Sequence, residues 1–163
     1  MKRKAMIAGI VSAAAAMAIV CAGTALGKTS KNAKTFAISG QVTGHLSEAN
    51  RSDLCASGVV PAGKEYETTL YLPAVKPLKG LWSIEIHAPL GTTRFPAASP
   101  TMVTLSAPSG VAAYKGGIWI AGGKNGAGTL KLKKTGGSIN LVLPPTSLAE
   151  TRAEKVVGSW SCP

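Results

Sequence analysis

Apolar residues recur at every second position in run after run of this chain, and no other feature constrains the fold as much. Phe36, Ile38 and Val42 alternate, as do Tyr66, Thr68, Leu70 and Leu72. Trp82, Ile84 and Ile86 oppose Ser83, Glu85 and His87. From Gly116 onward the runs crowd together. Ile118 and Ile120 flank Trp119, Leu130 and Leu132 alternate with Lys131 and Lys133, and Ile139, Leu141 and Leu143 alternate with Asn140 and Val142. Val156, Trp160 and Cys162 share one parity near the end of the sequence. A period of two places alternate side chains on opposite faces of a strand, so each run reads as a half-buried β-strand.

The punctuation agrees. Lys124-Asn125-Gly126 and Thr135-Gly136-Gly137 offer the positive φ of tight turns, which predicts an antiparallel meander of three strands from Ile118 to Leu143. Pro73, Pro89 and Pro144-Pro145 stop runs, and the prolines between Thr92 and Pro108 predict loop and edge structure around a weak strand, Thr101 to Leu105. Phe36 to Gly44 reads as one strand, His45 to Gly63 as a long loop, and Val111 to Tyr114 as a short strand. Ser147-Leu148-Ala149-Glu150 has the spacing of a helix capping box. Helical periodicity is otherwise almost absent. The expectation is an all-β fold of about eight strands, an antiparallel β-sandwich of immunoglobulin-like or related type.

The first 27 residues are set apart from this domain. Lys2, Arg3 and Lys4 precede an apolar stretch from Ala5 to Ala22, and Ala25-Leu26-Gly27 supplies small residues at a cleavage site. This is the layout of a helical secretory signal peptide, cleaved near Gly27. Residues 28–35, with Lys28, Lys31 and Lys34, then form a basic flexible tether, and 36–163 form a single β domain. The expected location is secreted or at the cell surface. A lipid anchor at Cys21 is the minor alternative, because Val20 fits lipoprotein processing poorly. Cys55 and Cys162 remain after cleavage, and in an exported chain an even pair reads as one disulfide. Closing a loop of about 100 residues stabilises by about 4 to 5 kcal/mol on chain entropy alone.

Charge bears on partners. The chain carries 18 lysines and arginines against 7 acidic residues, a formal net charge of +11. That balance favours anionic partners such as wall polymers, lipid headgroups or nucleic acid, although no nucleic-acid-binding motif accompanies it. Trp119 is the tryptophan whose parity opposes its aliphatic neighbours, so it is the candidate aromatic platform on an outer face. Lys131 and Lys133 share the outward face of the next strand, with Lys124 and Lys134 at its turns. Together Trp119, Lys124, Lys131, Lys133 and Lys134 form the candidate binding strip for an anionic wall polymer or glycan.

Motifs for catalysis lack their context. Ala22 to Thr29 fits a relaxed phosphate-binding loop but straddles the cleavage site, without the strand before it and the helix after it that surround a phosphate. No nucleotide or other cofactor is expected. Lys134-Thr135-Gly136 matches one element of the serine β-lactamases and penicillin-binding proteins, but no serine has a lysine three residues later. His87 and Glu85 share a face about 7 Å apart along one strand and could pass a proton. Neither His45 nor His87 belongs to a spaced ligand set, so no metal is expected. The plan is similar in layout to small exported β-domain proteins of Gram-positive, high-GC bacteria, and this resemblance carries no site residues. The leading reading is a non-enzymatic envelope or secreted module for binding or structure. The alternatives are a small secreted hydrolase using His45 or His87, and an inhibitor of an extracellular enzyme with Arg94-Phe95 as the reactive bond.

Overall fold

The computed structural model describes residues 35–47, 57–59, 65–114, 117–146 and 152–161. The signal peptide, residues 28–34 of the tether, all three cysteines and the Ser147–Glu150 capping box lie outside these residues, while Thr35, expected at the end of the tether, is already strand. The described residues form eleven strands: β1 Thr35–Ser39, β2 Gly44–Ser47, β3 Ser57–Val59, β4 Tyr66–Val75, β5 Leu81–Ala88, β6 Gly91–Phe95, β7 Met102–Ser106, β8 Ile118–Gly122, β9 Ala127–Lys133, β10 Gly136–Leu143 and β11 Glu154–Ser161. Every pairing is antiparallel, and no helix occurs among the described residues.

The strands follow one hydrogen-bonded path, β6-β9-β10-β11-β1-β2-β4-β5-β7-β8, with β3 beside β4. The join between its two halves is narrow. β2 meets the end of β4 through His45↔Val75 and Leu46↔Ala74 alone. At the far end of the path, the residues after β10 close the free edge of β8. The Ile120 N–H donates to Pro144 O at 2.9 Å, and the Thr146 N–H donates to Ile118 O at 3.0 Å. The sheet is thus nearly closed on itself. This differs from two separate sheets, because β4 is ten residues long and serves β3 with one end and β2 with the other.

Alternation fills the inside. Leu70, Leu72, Trp82, Ile84, Ile86 and Ala88 from β4 and β5 are fully buried, as are Leu130, Leu141 and Val156 from the other half. Phe36 stacks on Trp160 at 6.3 Å, and Trp82 stacks on Trp119 at 6.3 Å while meeting Tyr114 at 5.0 Å. Offset aromatic pairs at such distances add about 0.5 to 1.5 kcal/mol each beyond their buried area. Gly158 makes the Phe36 contact possible, since a Cβ there would lie 2.3 Å from the ring.

The structure changes several sequence expectations. Phe36 to Gly44 is not one strand: β1 ends at Ser39, the chain turns at Gly40 and β2 begins at Gly44; a Cβ at Gly40 would sit 2.1 Å from Ala153 O. His45 to Gly63 is not one long loop, since it holds most of β2 and all of β3, and Pro73 does not stop its run, which continues to Val75 within β4. The region from Thr92 to Pro108 holds two strands. Of these, β7 is interior, between β5 and β8, because its prolines fall outside the paired residues. Val111 to Tyr114 forms a turn, with the Tyr114 N–H donating to Val111 O. Finally, β8, β9 and β10 do not form a meander. Only β9 and β10 make a hairpin, while β8 pairs with β7 and the chain turns the corner through Gly123 and Gly126, both at positive φ.

Candidate functional site

β6, β9, β10 and β11 lie side by side, and their register places outward residues in rows. One row runs Thr92, Lys131, Ser138, Ser159; the next runs Arg94, Thr129, Asn140, Val157. Lys133 extends the face at the end of β9, and Lys155 extends it on β11 opposite Val142. Arg94, Lys131, Lys133 and Lys155 are exposed. Neighbouring strands are about 4.8 Å apart and alternate residues about 7 Å apart, so the cations form a grid with hydroxyl and amide groups between them. The one carboxylate on these four strands, Glu154, points inward and is fully buried. Positive charge with no outward carboxylate on the same four strands attracts anions, and salt screens it over about 10 Å at 0.1 M.

The strip expected from sequence is partly reassembled. Lys131 and Lys133 stand outward on β9, and Lys134 follows in the turn, exposed, with Nζ 5.9 Å from the Tyr66 ring. Lys124 is exposed at the other end of β9, about 20 Å away by strand length. Trp119 is not on this face. It is 0% exposed, and its indole N–H donates to Arg152 O at 3.0 Å. β8 therefore has the reverse of its expected polarity, with Trp119 and Ala121 inside and Ile118 41% exposed. The indole is far larger than either isoleucine, and stacking on Trp82 outweighs exposure of Ile118. In the sequence Arg94 stands out only as half of a reactive bond; its place diagonal to Lys131 comes from the β6–β9 pairing, which no local pattern encodes. That bond lies within a paired strand and Phe95 is 6% exposed, which is poor geometry for a protease bait loop.

Among the described residues, the outward acids of the strands stand on the opposite half of the sheet. Glu67 on β4 is in register with His87 on β5, and Glu85 precedes His87 by two residues on the same face. His87 Nε2 is 3.0 Å from Glu85 Oε1 and 3.9 Å from Glu67 Oε1. The expected pairing of His87 with Glu85 is observed, and Glu67 is the member that spacing alone did not supply. The uncharged residues Met102 and Thr104 follow on β7, in register with His87 and Glu85. His45 is separate, exposed on β2 in register with Ala37 and Val75.

Two further carboxylates are buried. Glu65 accepts a hydrogen bond from the Thr101 hydroxyl. Glu154 accepts the backbone N–H of Val42, so it ties the start of β11 to the β1–β2 turn; its Oε2 has no partner. Burial raises its pKa from 4.5 to about 7, against the lowering effect of the Val42 and Gln41 N–H groups. Compared with known protein families, with curated proteins and with solved structures, the chain matches none.

Proposed function

We propose that the chain is an exported, non-enzymatic module of the cell envelope that binds an anionic wall polymer through the face of β6, β9, β10 and β11. The observation that carries this reading is the grid of Arg94, Lys131, Lys133 and Lys155, interleaved with Thr92, Thr129, Ser138 and Asn140 and free of outward carboxylates on the four strands. With Trp119 buried, no tryptophan platform stands on this face, so the reading shifts from sugar stacking to charge and hydrogen bonding. A polymer with regularly repeated negative groups suits a grid of cations better than a single small anion does. Export by a signal peptide at residues 1–27 and a Cys55–Cys162 disulfide belong to the same proposal, as does a sandwich-like packing of the two halves of the sheet.

The test is retention on a purified phosphodiester-linked wall polymer at low and high salt. The natural chain is expected to bind at low salt and to elute as salt rises, and Lys131→Glu/Lys133→Glu to pass through at both. Binding that ignores salt and survives the double reversal overturns the reading.

A further inference from the structure

From the side chains on the outer face of β4 and β5 we propose that His87, Glu85 and Glu67 form a surface site for one divalent transition-metal ion, zinc in the first place. Their ligand atoms all lie within 4.8 Å of one another, with His87 Nε2 at 3.0 Å from one carboxylate and 3.9 Å from the other. An ion held at about 2.0 to 2.2 Å by nitrogen and oxygen ligands keeps those ligands roughly 3 to 3.5 Å apart. Of the three separations, 3.0 Å lies at the edge of that range, 3.9 Å just beyond it and the third within 4.8 Å, so the two carboxylates must close toward each other by rotamer changes to bring all three atoms onto one centre.

The charge pattern points the same way by a separate route. An imidazole offers at most one positive charge, and a neutral one offers none, so the two glutamates leave this group negative in a chain of net charge +11. Glu67 and Glu85 are diagonal rather than directly opposite, in the register Glu67↔His87 and Thr69↔Glu85, and long side chains at that spacing still reach each other and repel. The register neighbours Thr69, Met102 and Thr104 are all uncharged and supply no counter-charge. A divalent cation removes the repulsion and uses every ligand.

The frame is suited to holding the three groups in place. β4 and β5 are paired over eight residues, and β5 is flanked on its other side by β7. Ligands on paired strands are better pre-organised than ligands on loops. The donor set then narrows the ion. An imidazole beside two carboxylates suits zinc and its divalent neighbours, whereas magnesium and calcium favour oxygen alone and copper(I) favours sulfur. The side chains of His87, Glu85 and Glu67 are 22%, 46% and 50% exposed, so a fourth position faces solvent and is open to water or an incoming anion. The site lies on different strands from the basic grid and stands or falls independently of it.

The experiment is a zinc titration of the full chain, followed through the ring nitrogen resonances of its two histidines. His87 Nε2 is expected to shift to saturation while His45 stays in place. Glu67→Gln and Glu85→Gln should each weaken binding by more than the about tenfold that loss of an outer-shell partner costs. His87 resonances that do not respond to excess zinc in the natural chain overturn the proposal without recourse to any variant. Zinc affinity at His87 that is unchanged in Glu67→Gln overturns it as well.

Discussion

Glu154→Gln gives the sharpest test of the physical picture, because one buried carboxylate both anchors a turn and resists ionisation. Its pKa is raised from 4.5 to about 7, so the folded chain holds this proton more tightly than the unfolded chain. The stability linked to that proton is fully present below pH 4.5 and is lost as pH rises through about 7. A shift of about 2.5 pK units at about 1.4 kcal/mol per unit makes the loss about 3 kcal/mol. Glutamine keeps an oxygen for the Val42 N–H and cannot ionise. It also places an amide where Oε2 has no partner, at a cost of about 1 to 3 kcal/mol that does not depend on pH. The natural chain should therefore be the more stable at pH 4.5, and the balance should swing toward Glu154→Gln by about 3 kcal/mol by pH 8. Urea unfolding of both proteins across that range measures the swing, and every other titrating group cancels in the difference. In thermal melts it amounts to about 10 °C. A difference between the two proteins that stays constant from pH 4.5 to 8 would refute the reasoning, since Glu154 would then not be titrating in that window.

Other outcomes follow from packing and charge. Gly158→Ala should cost about 1 to 3 kcal/mol in urea unfolding, because its methyl would meet the Phe36 ring at 2.3 Å; an unchanged midpoint would mean that β1 and β11 are not packed this closely. Trp119→Phe keeps most of the stacking on Trp82 but loses the indole N–H to Arg152 O, and should destabilise by about 1 to 3 kcal/mol, including the carbonyl left unpaired. Tryptophan quenching by iodide should be weak in the natural chain, as Trp82, Trp119 and Trp160 are all buried. Arg94→Glu should leave the unfolding midpoint within about 0.5 kcal/mol and still reduce retention on the wall polymer at low salt, which separates binding from folding.

Strand content was legible in the chain because the two-residue period is local. Leu70-Tyr71-Leu72 and Trp82-Ser83-Ile84-Glu85-Ile86 announce half-buried strands whatever surrounds them, and their apolar members are the ones buried. Trp119 shows where that reasoning stops. Alternation assigns Ile118 and Ile120 to one face and Trp119 to the other, but which face turns inward depends on Trp82 from β5 and Arg152 from the segment before β11. Proline is a less reliable signal. Its density around Thr101 to Leu105 points to a weak strand at an edge, yet β7 is interior, and Pro73 reads as a stop although β4 runs through it to Val75. Pro144-Pro145 does end β10 at Leu143, and only the fold adds that these residues close the edge of β8, where carbonyls accept and no proline N–H is needed.

The sequence by itself determined that the chain is built of antiparallel strands with alternating faces, and that it is basic. Both follow from residue order and composition without reference to distant contacts. Tertiary structure alone decided the single, nearly closed path, the inward turn of Trp119 and the joining of Arg94 to Lys131 and Lys133. It also brought Glu67 to His87. Each of these depends on register between strands far apart in sequence, and register is set where side chains from both halves fill one core.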